Sequence, residues 1–328
     1  MIIIMTAKIT RRISKEYQVP RVDTALLWIA CIFVMGYFFK APALAAQSVK
    51  KSLTICSTGL IPSLFPFIVL VGIINRSGLS LYISNLMGGP VAKLLGIRKE
   101  AVYALLLGFV GGFPIGAICV RELYESGMLE KIEAEELLGT ANNASPAFCI
   151  GTLGIAMYKN AGFGIRLYLC QLAAALIICC ICRKKPESDT PQPIKHTAPP
   201  LSDTLTESVS QGGLTMLKIC SFAVFFAVIG DAACLAVEYA AGEYAAALCA
   251  SFFELTLAGQ RLCAYPGATS AAICAFAVGF AGLSVHMQTA SVLSGSGLSM
   301  NHYFKRKLAQ GLLSALLMGL TYSMGFGS

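Results

Sequence analysis

The stretch Thr140-Ala141-Asn142-Asn143-Ala144-Ser145-Pro146-Ala147-Phe148 decides how this chain folds. It lies inside an apolar run, residues 137–158, long enough to reach across a bilayer, yet its middle holds two amides, a hydroxyl and a proline. Hydrocarbon offers no partner to free backbone groups, so non-helical chain at that depth survives only inside protein or against a watery cavity. Ser145 is a natural N-cap and Pro146 a natural first helical residue, so the order of residues predicts a half-helix starting at Pro146. Its amide end would have about half a positive charge, which favours an anionic group on a bound solute. A proline kink whose asparagines bond to neighbouring helices is the other reading of the same residues.

Around that stretch the 328 residues are 56% hydrophobic and 13% charged, with a mean hydropathy of +0.70. Apolar runs recur from residue 24 to the C-terminus between short polar loops, which predicts eight or nine segments in a lipid bilayer and an all-α polytopic membrane protein. The net charge of +8 is spread over loop ends, which suits orientation in lipid and not nucleic-acid binding. The 13 cysteines sit mostly singly in apolar runs, as at Cys31, Cys119, Cys149 and Cys274, and read as packing residues. Cys179, Cys180 and Cys182 end such a run before Arg183, a place that also suits palmitoylation.

The chain divides into a basic cytoplasmic segment 1–23, a first membrane half 24–182, a Pro-rich polar linker 183–211 and a second membrane half 212–328. Residues 25–39 form an anchor; Ala43-Leu44-Ala45 after them also has the pattern of a signal-peptidase site. Gly111-Gly112-Phe113-Pro114-Ile115-Gly116 interrupts the apolar residues 101–120, either as the tip of a re-entrant hairpin or as a kink in a through-going helix. The charged residues 121–136 belong at an aqueous face.

The second half loosely repeats the first. Gly213-Leu214 before Phe225-Phe226 matches Gly59-Leu60 before Phe67; residues 253–261 fall where the first half has Gly112 and Pro114; Gly282-Leu283-Ser284-Val285-His286-Met287-Gln288 fall where it has Asn142 to Pro146. Broken segments in corresponding places of two halves point to the binding site of a secondary transporter. If both the N-terminus and Arg183 to Lys185 are cytoplasmic, the crossings between them are even in number. A hairpin in each half satisfies that count and makes the two repeats inverted.

At these residues the chain resembles the YlbJ-type sporulation integral membrane proteins, a family with the nucleoside-recognition or Gate domain. The matching pieces are Pro62-Ser63-Leu64-Phe65-Pro66-Phe67, Gly112-Phe113-Pro114-Ile115-Gly116-Ala117 with Glu122-Leu123-Tyr124, Thr140 with Asn142 to Pro146, Glu254-Leu255-Thr256 with Gly259, and Gly282 to His286 with Gln288. They cover about residues 25–325. The chain departs from the pattern at Ala281, where a second glycine is expected, and at Met287, where a small residue is usual. The resemblance implies a role in endospore formation, in the cell membrane or a membrane around the forespore. It implies passage of a small solute such as dipicolinate, and as protein partners a second copy of the chain or other sporulation membrane proteins. A nucleoside carrier, or an assembly protein without transport of its own, is the alternative.

The candidate solute-binding residues are Asn142, Asn143, Ser145, Gly112, Pro114, Glu254, Thr256, Arg261, Ser284, His286 and Gln288. Ionisable residues inside membrane segments are functional candidates by default. Glu254 and Arg261 are two helical turns apart, so they suit either a carboxylate-binding arginine beside a proton-accepting glutamate or an internal ion pair. His286 suits a titrating gate or a satisfied buried polar residue. Asp231 and Glu238 fall near a segment end, where water would solvate them. No His-Glu-x-x-His, Gly-x-Ser-x-Gly, intramembrane aspartate pair or phosphate loop is present, so neither an enzyme nor ATP-driven transport is expected, and no cofactor or metal.

Overall fold

A computed structural model describes residues 21–182, 199–265 and 267–323. The described residues form helices joined by short turns, with no strand among them. Contacts divide the chain into two units, Met1–Gln47 and Ser48–Ser328. In the first unit, helix α1 (Arg21–Lys40) exposes Trp28, Ile29, Ile32, Phe33 and Phe39 on several faces, the pattern of a helix that lipid surrounds. The basic stretch 1–20 lies outside the described residues, and residues 21–23 already belong to α1.

The helix Pro42–Ile55 straddles the boundary, and the second unit holds the helices that follow it. Helix α2 (Pro42–Ile55) runs through a π-helical turn, Cys56–Leu60, into α3 (Ile61–Arg76). Then follow α4 (Leu79–Leu95), α5 (Lys99–Gly111), α6 (Ile115–Glu125), α7 (Lys131–Ala141), a π-helical stretch Ala147–Met157, and α8 (Ala161–Ile181). After residues 183–198, which lie outside the description, come α9 (Leu201–Ala241), α10 (Glu243–Phe253), α11 (Leu255–Leu262), α12 (Ala268–Phe280), α13 (Gly282–Leu293) and α14 (Asn301–Ser323). The linker expected to end at 211 gives way to helix at Leu201, because Leu201, Thr204, Leu205 and Ser208 fall at helical spacing and Thr204 and Ser208 pack inward.

Four described stretches are long and apolar enough to cross a bilayer: Pro42–Arg76, Ala161–Ile181, Leu201–Ala241 and Ala268–Leu293. The interruptions cut other apolar runs into shorter helices such as Ala147–Met157 and Glu243–Phe253. α5 packs back along α6, and α10 along α11, so each pair is a hairpin, whereas α12 and α13 diverge from their junction. The kinked-helix reading of Gly112 to Pro114 therefore fails; Gly108 and Gly116 face each other across the hairpin. In chain order each half has a hairpin, then a broken helix, then a long helix.

Small residues make the close seams. The second core cluster consists largely of Ala and Cys, among them Cys149, Ala250, Ala258, Cys274 and Ala277, which let helix backbones approach. The expectation of packing cysteines holds for Cys119, Cys149, Cys179 and Cys274, while Cys31, Cys180 and Cys182 are exposed.

Candidate functional site

The first hairpin lies directly on the broken stretch. A Cβ added at Gly108 would stand 2.0 Å from the Ala141 carbonyl oxygen, one at Gly116 would stand 2.2 Å from the same oxygen, and one at Gly112 would stand 2.7 Å from Ser145 Cβ. Glycine is required at Gly112 twice over, since its φ is +84°. Three glycines four residues apart thus bring backbone onto backbone where a side chain would hold the segments apart.

Helix α7 stops at Ala141, and helical winding resumes at Ala147. Ser145 Oγ accepts from Phe148 N at 3.2 Å, the capping bond that its position before Pro146 predicts. Asn142 Nδ2 donates to Thr289 Oγ1 at 2.9 Å and Tyr303 OH at 3.1 Å, tying the break to α13 and α14. Asn143 Nδ2 donates to Thr140 O at 2.6 Å, and its Oδ1 accepts from Lys307 Nζ at 3.0 Å and Gln310 Nε2 at 2.7 Å. Gln171 brackets Ala144, donating to its carbonyl at 2.6 Å and accepting from its amide at 3.3 Å. Backbone freed by the break thus finds partners inside the protein, as hydrocarbon requires.

In the second half, Glu254 is both the hairpin tip and the N-cap of α11. Its Oε2 accepts from Thr256 N at 2.7 Å and Leu257 N at 2.9 Å, and Thr256 Oγ1 donates to it as well. The broken helix turns at Ala281 and Gly282, with φ of +78° and +63°. Ala281, the departure from the family pattern, therefore occupies a left-handed position that favours glycine. A Cβ on Gly282 would stand 3.2 Å from Phe253 O, so this break too rests on its hairpin tip. Gln288 Nε2 donates to Ser284 Oγ at 3.2 Å. His286 is enclosed by Phe280, Tyr303 and Phe304, with ring centroids at 4.8, 5.3 and 5.2 Å.

Three of the interruptions, at Phe113, Ser145 and Glu254, meet at one small cavity of about 50 Å³, and helix α13, which follows the fourth, adds Gln288; Ser63 and Thr256 are also in its walls. Beside it lies a larger cavity of about 320 Å³, with Arg76, Arg121, Glu122, Glu207 and Lys218 in its walls. Ile219 and Gln288 line both, and Pro114 lines the larger. Arg121 is fixed by Glu125 at 2.7 Å and by the Val292 carbonyl at 2.6 Å, and Arg76 faces Glu207 at 3.7 Å. A volume of this order is enough for a small organic molecule.

Of the residues expected at the site, Ser145, Glu254, Thr256 and Gln288 line the small cavity, and Pro114 the larger. Gly112, Asn142, Asn143, Ser284 and His286 are buried and line neither cavity, and of these Asn142 and Asn143 tie the first-half break to α13 and α14. Arg261 is a correction. It donates to Glu238 at 2.9 Å and Glu243 at 3.1 Å, away from Glu254, because Glu254 folds back over its own helix end. Asp231 is a second correction: it lies well inside α9 and accepts from Ser48 Oγ. Sequence reasoning missed Arg76, Arg121 and Lys218, and also the buried Gln171, Lys307 and Gln310. In α14 a signal existed, since Tyr303, Lys307, Gln310 and Ser314 recur at helical spacing and all are buried.

The chain is similar to the sporulation integral membrane protein YlbJ of Bacillus subtilis (strain 168), 24% identical over 341 residues that span 92% of this chain and 83% of that protein. The YlbJ-type resemblance is borne out. With the apolar helices above, the similarity makes this an integral membrane protein. No protein-family model and no solved structure matches the chain.

Proposed function

We propose that the protein is a transporter of a small anionic solute of the dipicolinate type, acting in a membrane of a cell that forms endospores. The observation behind this reading is the meeting of three interruptions, with the helix that follows the fourth, at one cavity that adjoins a larger one with charged walls. In the larger cavity Arg76, Arg121 and Lys218 stand among Glu122, Glu125 and Glu207, so a solute anion exchanges there with carboxylates already paired to arginine, and Gln288 stands where the two compartments meet. Ser145, Thr256 and Glu254 then meet the solute at the bases of two half-helices, with Glu254 as the candidate for taking up a coupling proton. Rocking of one hairpin and broken-helix pair against the other, as two inverted repeats, alternates access. Support for the setting comes from the relative's printed name, a sporulation membrane protein.

A second reading, an assembly protein without transport of its own, draws on Asn142, Asn143 and Gln171, whose side chains bind other parts of the same fold. Uptake of labelled dipicolinate and of a nucleoside into proteoliposomes decides between them. Saturable uptake of dipicolinate that Gln288→Leu and Ser145→Val abolish, with both variants folded, is the expected result. Nucleoside uptake in its place would change the substrate class. Uptake of neither, with and without a proton gradient, would leave the assembly reading.

A further inference from the structure

Lys307 reads in the sequence as one basic residue among three, Lys305-Arg306-Lys307, near a helix start. Its neighbours have ordinary roles: Lys305 is exposed, and Arg306 binds the Glu136 carboxylate and carbonyl and the Cys182 carbonyl. Lys307 is different, with 0% of its surface exposed. Among the described residues its Nζ has amides and rings about it where a buried cation ordinarily has a carboxylate. It donates to Asn143 Oδ1 at 3.0 Å and Gln310 Oε1 at 2.8 Å, and lies 5.4 Å from the Phe113 ring centroid and 5.9 Å from that of Tyr303.

Enclosing such a group without an anion is costly, and an ionisable side chain sealed inside a membrane protein is a functional candidate by default. Where Lys307 sits gives the cost a use. Asn143 belongs to the broken stretch and Phe113 to the hairpin tip, so one amine holds both interruptions of the first half from the last helix. The Phe113 ring is also a wall of the small cavity, beside Ser145, Glu254 and Gln288. Phe113 thus touches both the surroundings of a donor-only side chain and the small cavity, which Lys307 itself does not line. Amide oxygens and ring faces are weaker partners for an ammonium than a carboxylate, which would displace them.

We propose that Lys307 is the residue that binds the solute's carboxylate, and that displacement of Phe113 from the cavity wall gives the solute access to it. The inference rests on the anion-transport reading and adds to it a ligand residue and a gate. Gly112 fixes the hairpin backbone against Ser145, so the ring leaves the wall by rotation about its own side-chain bonds.

Two measurements test it on the full chain in detergent. The first is equilibrium binding of labelled dipicolinate: Lys307→Gln raises Kd at least tenfold, and Lys307→Arg by less than threefold. The second is labelling of Lys307 by a water-soluble amine-reactive reagent, read by mass spectrometry. The wild type is labelled slowly, Phe113→Ala at least tenfold faster, and saturating dipicolinate protects the variant. A folded Lys307→Gln that binds with unchanged Kd overturns the proposal, as does labelling of Phe113→Ala that dipicolinate leaves unprotected. Should Lys307→Gln not fold, the labelling experiment decides alone. A wild type that neither binds nor takes up dipicolinate defeats the anion-transport reading and the proposal together; binding by the wild type with intact Lys307→Gln binding defeats the proposal only.

Discussion

Gly116 lies against the carbonyl oxygen of Ala141, so close that a Cβ on the glycine would stand 2.2 Å from it. Backbone cannot yield there as a flexible side chain would. Gly116→Ala should therefore lower stability by about 1–3 kcal/mol, the usual range for overpacking. Gly213→Ala, with nothing within 4 Å, should be neutral or gain up to about 1 kcal/mol. Thermal unfolding of the two purified variants in detergent checks the contrast, and equal melting temperatures would refute it.

Ala281 has a φ of +78° and is fully buried. Removing its methyl relieves roughly 1–2 kcal/mol of left-handed strain but gives up about 0.8 kcal/mol of burial and some chain entropy. Ala281→Gly should accordingly change stability by less than about 1 kcal/mol. Ala277→Gly, one turn earlier in regular helix, has no strain to relieve and should lose about 2 kcal/mol.

Glu254 caps α11 through a single oxygen. Gln retains an acceptor and Ala does not, so Glu254→Gln should hold the helix end while Glu254→Ala lowers stability by about 1–2 kcal/mol. Hydrogen exchange of the Thr256 and Leu257 amides gives the direct reading. Equal protection in both variants would show that the cap contributes nothing.

Asn142 and Thr289 are 147 residues apart in sequence and share a buried hydrogen bond of 2.9 Å. Asn142→Ala should cost about 1–3 kcal/mol, since it leaves buried hydroxyls without their donor. In a double-mutant cycle with Thr289→Val the losses should fall short of additivity by about 1 kcal/mol. Strict additivity would mean that the bond across the two halves does not couple them.

The fold was legible where polarity and apolar length conflict. Asn142 to Pro146, Gly112 to Pro114 and Glu254 stand out because hydrocarbon penalises them, and each does prove to be an interruption. Arg261 was misjudged because helical spacing says which residues share a face and nothing of what a third helix end brings; Glu238 and Glu243 arrive from the turn between α9 and α10. Lys307 escaped notice because its neighbours Lys305 and Arg306 make the run look like a solvated helix end. Arg76 was hidden for another reason: a cavity is a property of how separate helices pack, and Arg76 is an ordinary basic residue in the last turn of α3, whereas Lys218, inside the apolar stretch of α9, offered a signal that was passed over.

Helix α9 has 41 residues, about 60 Å at 1.5 Å per residue, twice the roughly 30 Å of hydrocarbon in a bilayer. Near one end Glu207 faces Arg76 at the rim of the larger cavity. Farther along, Gly230 sits under Phe253 and Leu257, the residues on either side of the second hairpin tip. An unbroken helix of this kind is a beam, and about 35 Å of it separate the Arg76–Glu207 pair from the tip that Glu254 caps. The rim of the larger cavity and the second hairpin tip are in this way mounted on a single piece of secondary structure.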